Sequence, residues 1–259
     1  NITFDNYITI SQSMLSFFHG VNSDAKRFDL QHGTIHAKKE SYLYDGIVSS
    51  NLQENNVTLL LCGNEYKDIL IKNEIASYFK SHIKVIGISS LNNITIPSVL
   101  NKNVLVSLQF THDHSKDENR QIADSLEKLM MKESAFRFYL KNHPRFNNEI
   151  DLDRFLSLPN VSLISESLID ISDKYSFHLT SYSTVTFEAS LHGIPTCFLQ
   201  SDSYKMSIFN TQYSYPFYKY SLSDLYCNYL ACSLEIQQWA KKFYQPFCEE
   251  SFLESLKNA

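Results

Sequence analysis

One pattern repeats along residues 28–199. A short apolar run ends in Gly, His or a cluster of hydroxyl residues, and an amphipathic helical stretch follows. That alternation dictates a parallel sheet, since parallel strands need a long crossover between them and a helix is the usual one. Phe28–Gln31 runs into His32-Gly33, Val57–Cys62 into Gly63-Asn64, and Ile83–Ile88 encloses Gly87. Between the last two, Glu65–Lys80 carries Ile69, Ile71, Ile75 and Phe79 near helical spacing, which predicts a helix there. This first region reads as two or three β-α units. The chain begins at Asn1, in sequence that already reads as folded, so an N-terminal portion is expected to precede it.

The stretch Ser89–Asn103 is polar, holds Pro97 and lacks periodicity, and it reads as a linker that divides the chain into 1–97 and 98–259. A second series follows. Strands are expected at Val104–Phe110, Phe136–Lys141, Val161–Ile164, Phe177–Thr180 and Thr196–Leu199. Helices are expected at Asn119–Lys132, Asp151–Leu158, Leu168–Tyr175 and Thr184–His192. From Ser221 on the chain is helical and aromatic, with apolar positions dense enough to pack against the body. The expected fold is α/β: two Rossmann-like domains with parallel sheets, the first one truncated.

With 259 residues, 43% hydrophobic and 20% charged, the chain has the composition of a globular protein with a large core. A net charge of −5 excludes a nucleic-acid binder that works through a broad basic face, yet a few local cations suffice for one phosphate. The five cysteines (Cys62, Cys197, Cys227, Cys232, Cys248) form no Cys-x-x-Cys pair and read as reduced, structural thiols of a cytoplasmic protein. No apolar stretch approaches the roughly 20 residues of a membrane span.

Three strand ends carry groups suited to chemistry. In Phe177–Leu199 (FHLTSYSTVTFEASLHGIPTCFL) a strand ends in hydroxyls and opens into a helix. Ser181, Ser183 and Thr184 can cap that helix, whose first N–H groups face any anion above the sheet's carboxyl edge. Glu188 follows about one turn on, within reach of a ribose hydroxyl. The same hydroxyls serve equally as plain helix caps, and Glu188 as a solvated helix residue.

In Tyr139–Arg145 (YLKNHPR), Pro144 halts the strand and holds His143 extended. His143 can donate to a phosphate or a base carbonyl, with Lys141 and Arg145 supplying charge; a His-Pro pair is also a common turn. In Asp29–Lys39 (DLQHGTIHAKK), Gly33 allows close backbone approach and His32 is placed to orient a phosphate or move a proton. A turn histidine beside a solvated basic face is the alternative there.

Taken in order, these segments resemble the GT-B glycosyltransferases of bacterial surface polysaccharide synthesis, those of capsule and lipopolysaccharide. Gln31-His32-Gly33, then Leu60–Tyr66 (LLCGNEY) and Val85–Ile88 (VIGI), resemble the end of the first domain in those enzymes. His32-Gly33-Thr34 is also similar to the Trp-His-Gly-Thr of CDP-glycerol glycerophosphotransferases, with Gln31 in place of Trp. His143-Pro144 together with Ser181 and Ser183 is similar to the His-Pro and serine motifs of bacterial sialyltransferases and Kdo transferases. The resemblance spans roughly residues 28–200.

It implies two Rossmann-like domains with the active site in the cleft between them. His143, with Lys141 and Pro144, would hold the donor phosphate or cytidine, and Ser181, Ser183 and Thr184 the same nucleotide. Glu188 would sit near the ribose, and His32 would face the cleft near the transferring group. The acidic-acidic-Gly motif of many sialyltransferases has only a partial match in Tyr44-Asp45-Gly46, so Asp29, Glu40 and Asp45 are the acidic candidates for the catalytic base.

The expected function is therefore transfer of a sugar, CMP-sialic acid or CMP-Kdo being the favoured donor, to a glycan acceptor. Fixed N–H groups, His143 and Lys141 would stabilise the leaving phosphate, and His32 or a first-domain acid would activate the acceptor hydroxyl. No cofactor or divalent metal is called for. The expected partners are the nucleotide-sugar donor and the glycan acceptor, with no nucleic acid, and peripheral association at the inner face of the membrane is compatible with such an enzyme. Three alternatives stand beside it: a CDP-glycerol glycerophosphotransferase, a sugar-nucleotide epimerase of the same fold, and a non-catalytic Rossmann-like module with Tyr213–Tyr226 as its contact surface.

Overall fold

The computed structural model describes residues 4–10, 12–89, 99–165, 174–199 and 204–258. The chain divides into two compact units, one formed by Asn1–Asn93 with Lys241–Ala259 and the other by Ile94–Ala240. Most of the polar stretch read as a linker, including Pro97, lies outside the described residues.

The first unit comprises β1 (Asn6–Thr9), α1 (Leu15–Val21), β2 (Lys26–Leu30), a small hairpin of β3 (Leu43–Tyr44) and β4 (Ile47–Val48), α2 (Ser50–Glu54), β5 (Val57–Leu61), α3 (Asn64–Asn73) and β6 (Ile83–Val85). Its sheet runs β1-β2-β5-β6 with every neighbour parallel. β5 is buried at all five positions, as a central parallel strand must be. β1 and α1 have no counterpart in the sequence reading. β1 is four residues long and buries only Tyr7 and Thr9, so its apolar signal is faint.

Helix α3 ends at Asn73 rather than at Lys80. Glu74 turns extended, its carboxylate accepts the Phe79 N–H at 2.9 Å, and Ile75 is left 80% exposed. The Ile75 and Phe79 spacing therefore mimics a helix that the Glu74 turn interrupts.

The second unit holds β7 (Asn103–Ser107), α4 (Lys116–Lys132), β8 (Arg137–Lys141), α5 (Asp153–Leu156), β9 (Val161–Ile164), β10 (Phe177–Thr180), α6 (Val185–Leu191), β11 (Thr196–Phe198), α7 (Tyr204–Thr211) and α8 (Leu222–Cys227). The helix expected at Leu168–Tyr175 falls largely outside the described residues. The sheet order is β11-β10-β7-β8-β9, all parallel. Counted from β7 this is the 3-2-1-4-5 order of a Rossmann half, whose winding reverses between β7 and β10. Ser115 opens α4 with a capping box to Glu118, the signature that starts a helix despite its polar first turn.

α9 (Tyr229–Phe243) follows, and its Trp239 stacks on Phe187 at 5.0 Å and donates Nε1–H to the Tyr213 carbonyl. α10 (Glu249–Asn258) packs Phe252 and Leu256 on Phe28, Leu60 and Ile86 of the first sheet. The sequence reading placed everything after residue 97 in the second domain. The structure packs Lys241–Ala259 with the first, because that sheet needs a helix over its Phe28–Leu60 face.

Two features of this frame are testable. Gly87 has φ +77, and a Cβ there would overlap the Pro246 carbonyl; Gly20 has open space around it. Gly87→Ala is expected to lower stability by about 2–4 kcal/mol in urea denaturation, while Gly20→Ala stabilises α1 by about 0.5–1 kcal/mol. His178 is fully buried between the Thr196 and Ser107 hydroxyls, and burial pushes its pKa down from 6.5 to about 3. The unfolded chain therefore takes up the proton first, and stability falls as pH drops from about 6.5 towards 3, at about 1.4 kcal/mol per pH unit from this group. His178→Gln flattens that part of the acid-unfolding curve.

Candidate functional site

The winding reverses between β7 and β10, and the carboxyl ends of strands at such a point are where open α/β sheets commonly bind ligands. Parallel pairing brings Ser107 opposite both Thr180 and Lys141, so the segments after β8 and β10 flank the end of β7. Thr180 Oγ1 donates to the Ser107 carbonyl at 2.9 Å and accepts the Ser183 N–H at 3.2 Å, which locks Ser181-Tyr182-Ser183 to the central strand. Ser183 is committed locally: its Oγ accepts the Val185 N–H at 3.3 Å. Ser181 is 2% exposed and its Oγ has no hydrogen-bond partner among the described residues. Together with Ser107, Gln109 and Thr180 it lines a cavity of about 10 Å³, room for one water.

Other expected ligand groups fall into two sets. Thr184 occupies the N-cap position of α6 but makes no side-chain cap, and it is exposed. Glu188 has an open surface, yet the protein mass around its carboxyl raises its pKa. On the β8 side, Lys141 Nζ donates to the Ser165 carbonyl at 3.0 Å. His143 Nδ1 accepts the Arg145 N–H at 3.0 Å, so the ring proton sits on Nε2 and that nitrogen is a donor. Burial, then the Arg145 charge, lowers the His143 pKa and keeps the ring neutral near pH 7. Pro144 and Arg145 continue the same turn, with Arg145 making a double contact to Asp113 at 2.6 and 3.1 Å. That pair is well exposed and adds only about 0–1 kcal/mol of stability, but it fixes the turn that carries His143.

The sequence reading missed the loop between β7 and α4. Thr111–Ser115 (THDHS) brings Asp113 to Arg145, and Lys205 Nζ of α7 to the Asp113 carbonyl at 2.6 Å. His114 Nε2 lies 2.5 Å from the Tyr182 hydroxyl. The available signal was a His-x-His placed between a strong strand and a capping box. Five buried polar atoms on these segments lack partners among the described residues: Ser181 Oγ, His114 Nδ1, Asn119 Oδ1, Asn142 Oδ1 and Asn147 Nδ2. Seven further atoms of this kind lie elsewhere among the described residues, from Asn6 and Glu74 of the first unit to Ser233 of α9, so these five are a share of a wider set.

Of the first-unit candidates, His32 and Asp29 are close enough for the histidine's charge to act on the carboxylate. His32 is exposed after β2, its loop tied down by Gln31, which donates to the Gly33 carbonyl and accepts the Cys62 N–H. Asp29 is 0% exposed, and its oxygens accept from Tyr42, Thr9 and, at the limit of hydrogen-bond distance, Gln12. Burial raises its pKa, partly offset by the Tyr42 bond. The expectation of Asp29 as the catalytic base is corrected here: the carboxylate anchors the loop and reaches no ligand-accessible surface. Asp45 (φ 47) and Gly46 (φ 82) are the turn of the β3–β4 hairpin, and this Asp-Gly pairing is what such a tight turn demands. Asp45 is exposed, and no hydrogen bond joins it to His32 or Asp29 among the described residues. Glu40 is likewise exposed.

The sequence holds one Asp-x-Asp, Asp151-Leu152-Asp153, and it serves local structure: Asp151 Oδ1 accepts the Asp153 N–H at the start of α5. Among the described residues no group of three His, Cys, Asp or Glu side chains is placed to hold a metal ion. No described helix is long and apolar enough to cross a membrane.

No family model and no curated protein matches this sequence. Solved structures do match in fold. The UDP-GlcNAc 2-epimerase of Neisseria meningitidis, bound to UDP-GlcNAc, superposes with a TM-score of 0.58 at 15% identity, over 98% of this chain and 76% of that one. A variant of the wall teichoic acid polymerase TagF gives 0.52 at 14% identity over 98% and 73%. The pneumococcal O-GlcNAc transferase GtfA, in complex with UDP and GlcNAc, gives 0.57 at 12% identity over 97% and 56%. The chain is thus an α/β protein with parallel sheets and a GT-B-like, Rossmann-type fold.

If the clustered orphan atoms form a ligand surface, removing one should not harm the free protein. Ser181→Ala is expected to leave thermal stability unchanged or raised by up to about 1 kcal/mol, since it deletes a buried hydroxyl without a partner; a melting curve checks this.

Proposed function

We propose that the chain is a glycosyltransferase that holds a nucleotide-activated sugar at the carboxyl edge of its second sheet. The observation that carries this reading is the buried, partnerless Ser181 hydroxyl at the β7–β10 reversal, with neutral His143 presenting Nε2–H on the neighbouring strand end. A departing nucleotide phosphate gains charge as the glycosidic bond breaks. Fixed donors that need not reorganise are the most effective way to stabilise that charge. Nε2–H of His143, the Ser181 hydroxyl and the Lys141 ammonium are of that kind. On the first unit, exposed His32 is the group we assign to take the acceptor's proton, with Asp29 anchoring its loop from below.

The finer donor, a CMP-linked sialic acid or Kdo, rests on the similarity of His143-Pro144 and Ser181/Ser183 to sialyltransferase and Kdo-transferase motifs. A UDP-linked donor is the second reading, favoured by the UDP and UDP-GlcNAc present in two of the structures that share the fold. The experiment is thermal stabilisation by CMP, CDP, UDP and GDP. Saturation at 100 times the dissociation constant adds about 2.7 kcal/mol. A response to CMP alone selects the first donor, and a response to UDP alone the second. His143→Ala is expected to weaken the bound nucleotide about 10- to 100-fold. A well-folded sample that responds to no nucleotide defeats the transferase reading and leaves the binding module. Turnover of UDP-GlcNAc without any acceptor would instead identify an epimerase.

A further inference from the structure

The residue between the two serines carries more than either of them. Tyr182 is half-buried, and its ring meets His114 edge-on at 5.3 Å, with the hydroxyl 2.5 Å from His114 Nε2. His114 is 7% exposed, and its Nδ1 is buried with no partner among the described residues. Burial, then the Lys205 charge, lowers the pKa of His114 and keeps the ring neutral, so it carries a single proton. A proton on Nδ1 would be a buried N–H with no acceptor, the rarest kind of orphan in a folded protein. A proton on Nε2 leaves only a bare lone pair at Nδ1 and is donated to the Tyr182 oxygen.

In that arrangement Tyr182 accepts from His114 and its own O–H has no acceptor among the described residues. Burial, then the negative charge of Asp113, raises its pKa to about 12, so the hydroxyl stays protonated. A hydroxyl that accepts one hydrogen bond becomes a stronger donor of another. Tyr182 stands in the chain between Ser181, whose buried hydroxyl has no partner among the described residues, and Ser183, which caps the Val185 N–H.

We infer that Tyr182 is a ligand-contacting donor of the second unit, its O–H aimed at an anionic phosphate oxygen and held in place by Nε2–H of His114. His114 acts through Tyr182 and is a positioning residue. This rests on the nucleotide-donor reading above and adds the atom that grips the phosphate. It also explains a tyrosine in a run of small hydroxyls, since serine at 182 could not span the distance to His114.

The test uses the full chain, with the nucleotide that stabilises the wild type best in the panel of CMP, CDP, UDP and GDP, followed by titration calorimetry. Tyr182→Phe keeps the ring and removes only the hydroxyl, and it is expected to weaken binding about 10- to 100-fold, with a lower melting temperature of the free protein because the His114 Nε2–H loses its acceptor. His114→Gln keeps an N–H donor at the position of Nε2 and retains most of the affinity, whereas His114→Leu loses it to the extent Tyr182→Phe does. In the Tyr182→Phe background, His114→Leu has no further effect on binding. Full affinity in Tyr182→Phe, or additive losses in the double variant, overturns the inference while the nucleotide reading stands. Absence of nucleotide binding by the folded wild type overturns both.

Discussion

Strand β7 is paired in parallel on both sides, with β8 on one edge and β10 on the other, and every feature of the second unit's candidate site follows from that placement. Parallel strands deliver all their carboxyl ends to one edge, and the change of winding at β7 keeps the loops there from covering one another. The pairing is reinforced inside the core. His178 bridges the Ser107 and Thr196 hydroxyls, and Thr180 relays the Ser107 carbonyl to the Ser183 amide. A chain of buried hydroxyl contacts thus carries the register of the central strand out to Ser181-Tyr182-Ser183.

The electrostatics of that edge run on neutral donors. His114, His143 and His178 all have lowered pKa values, with burial the largest cause in each. The cations also hold the loops: Arg145 contacts Asp113, and Lys205 and Lys141 each donate to a backbone carbonyl, of Asp113 and Ser165. Asp113 is the hub of three of these segments, and Arg145 keeps its pKa low, so it stays charged. Such a surface offers direction more than net charge. That fits a chain with a formal charge of −5, which would not draw an anion by long-range attraction.

The first unit shows the same economy in a different form. Asp29 is spent on Thr9 and Tyr42, Gln31 on Gly33 and Cys62, and the result is a fixed loop with His32 left exposed at its tip. Lys39 donates to the Thr34 carbonyl and lies over the Tyr42 ring, and burial lowers its pKa. The basic run read as a solvated face is, at Lys39, part of the loop's own scaffold.

Much of the fold was legible in the sequence because β5, β7, β10 and the capped helix α4 satisfy local rules: continuous apolar runs, terminal Gly, a capping box. Asp45-Gly46 is also a local turn signal, but the sequence reading passed over it and took the carboxylate as a catalytic candidate when its backbone conformation was the point. What lay beyond the sequence was set by contacts far apart in the chain. No local pattern says that Asp29 is sealed under Tyr42, that Glu74 folds back onto Phe79, or that α10 covers the first sheet. Nor does one say that His114 and Tyr182, 68 positions apart, meet in a hydrogen bond. Periodicity and capping act over a few residues and determined the elements; burial and long-range pairing decided which side chains at their ends were spent on structure and which were left for a ligand.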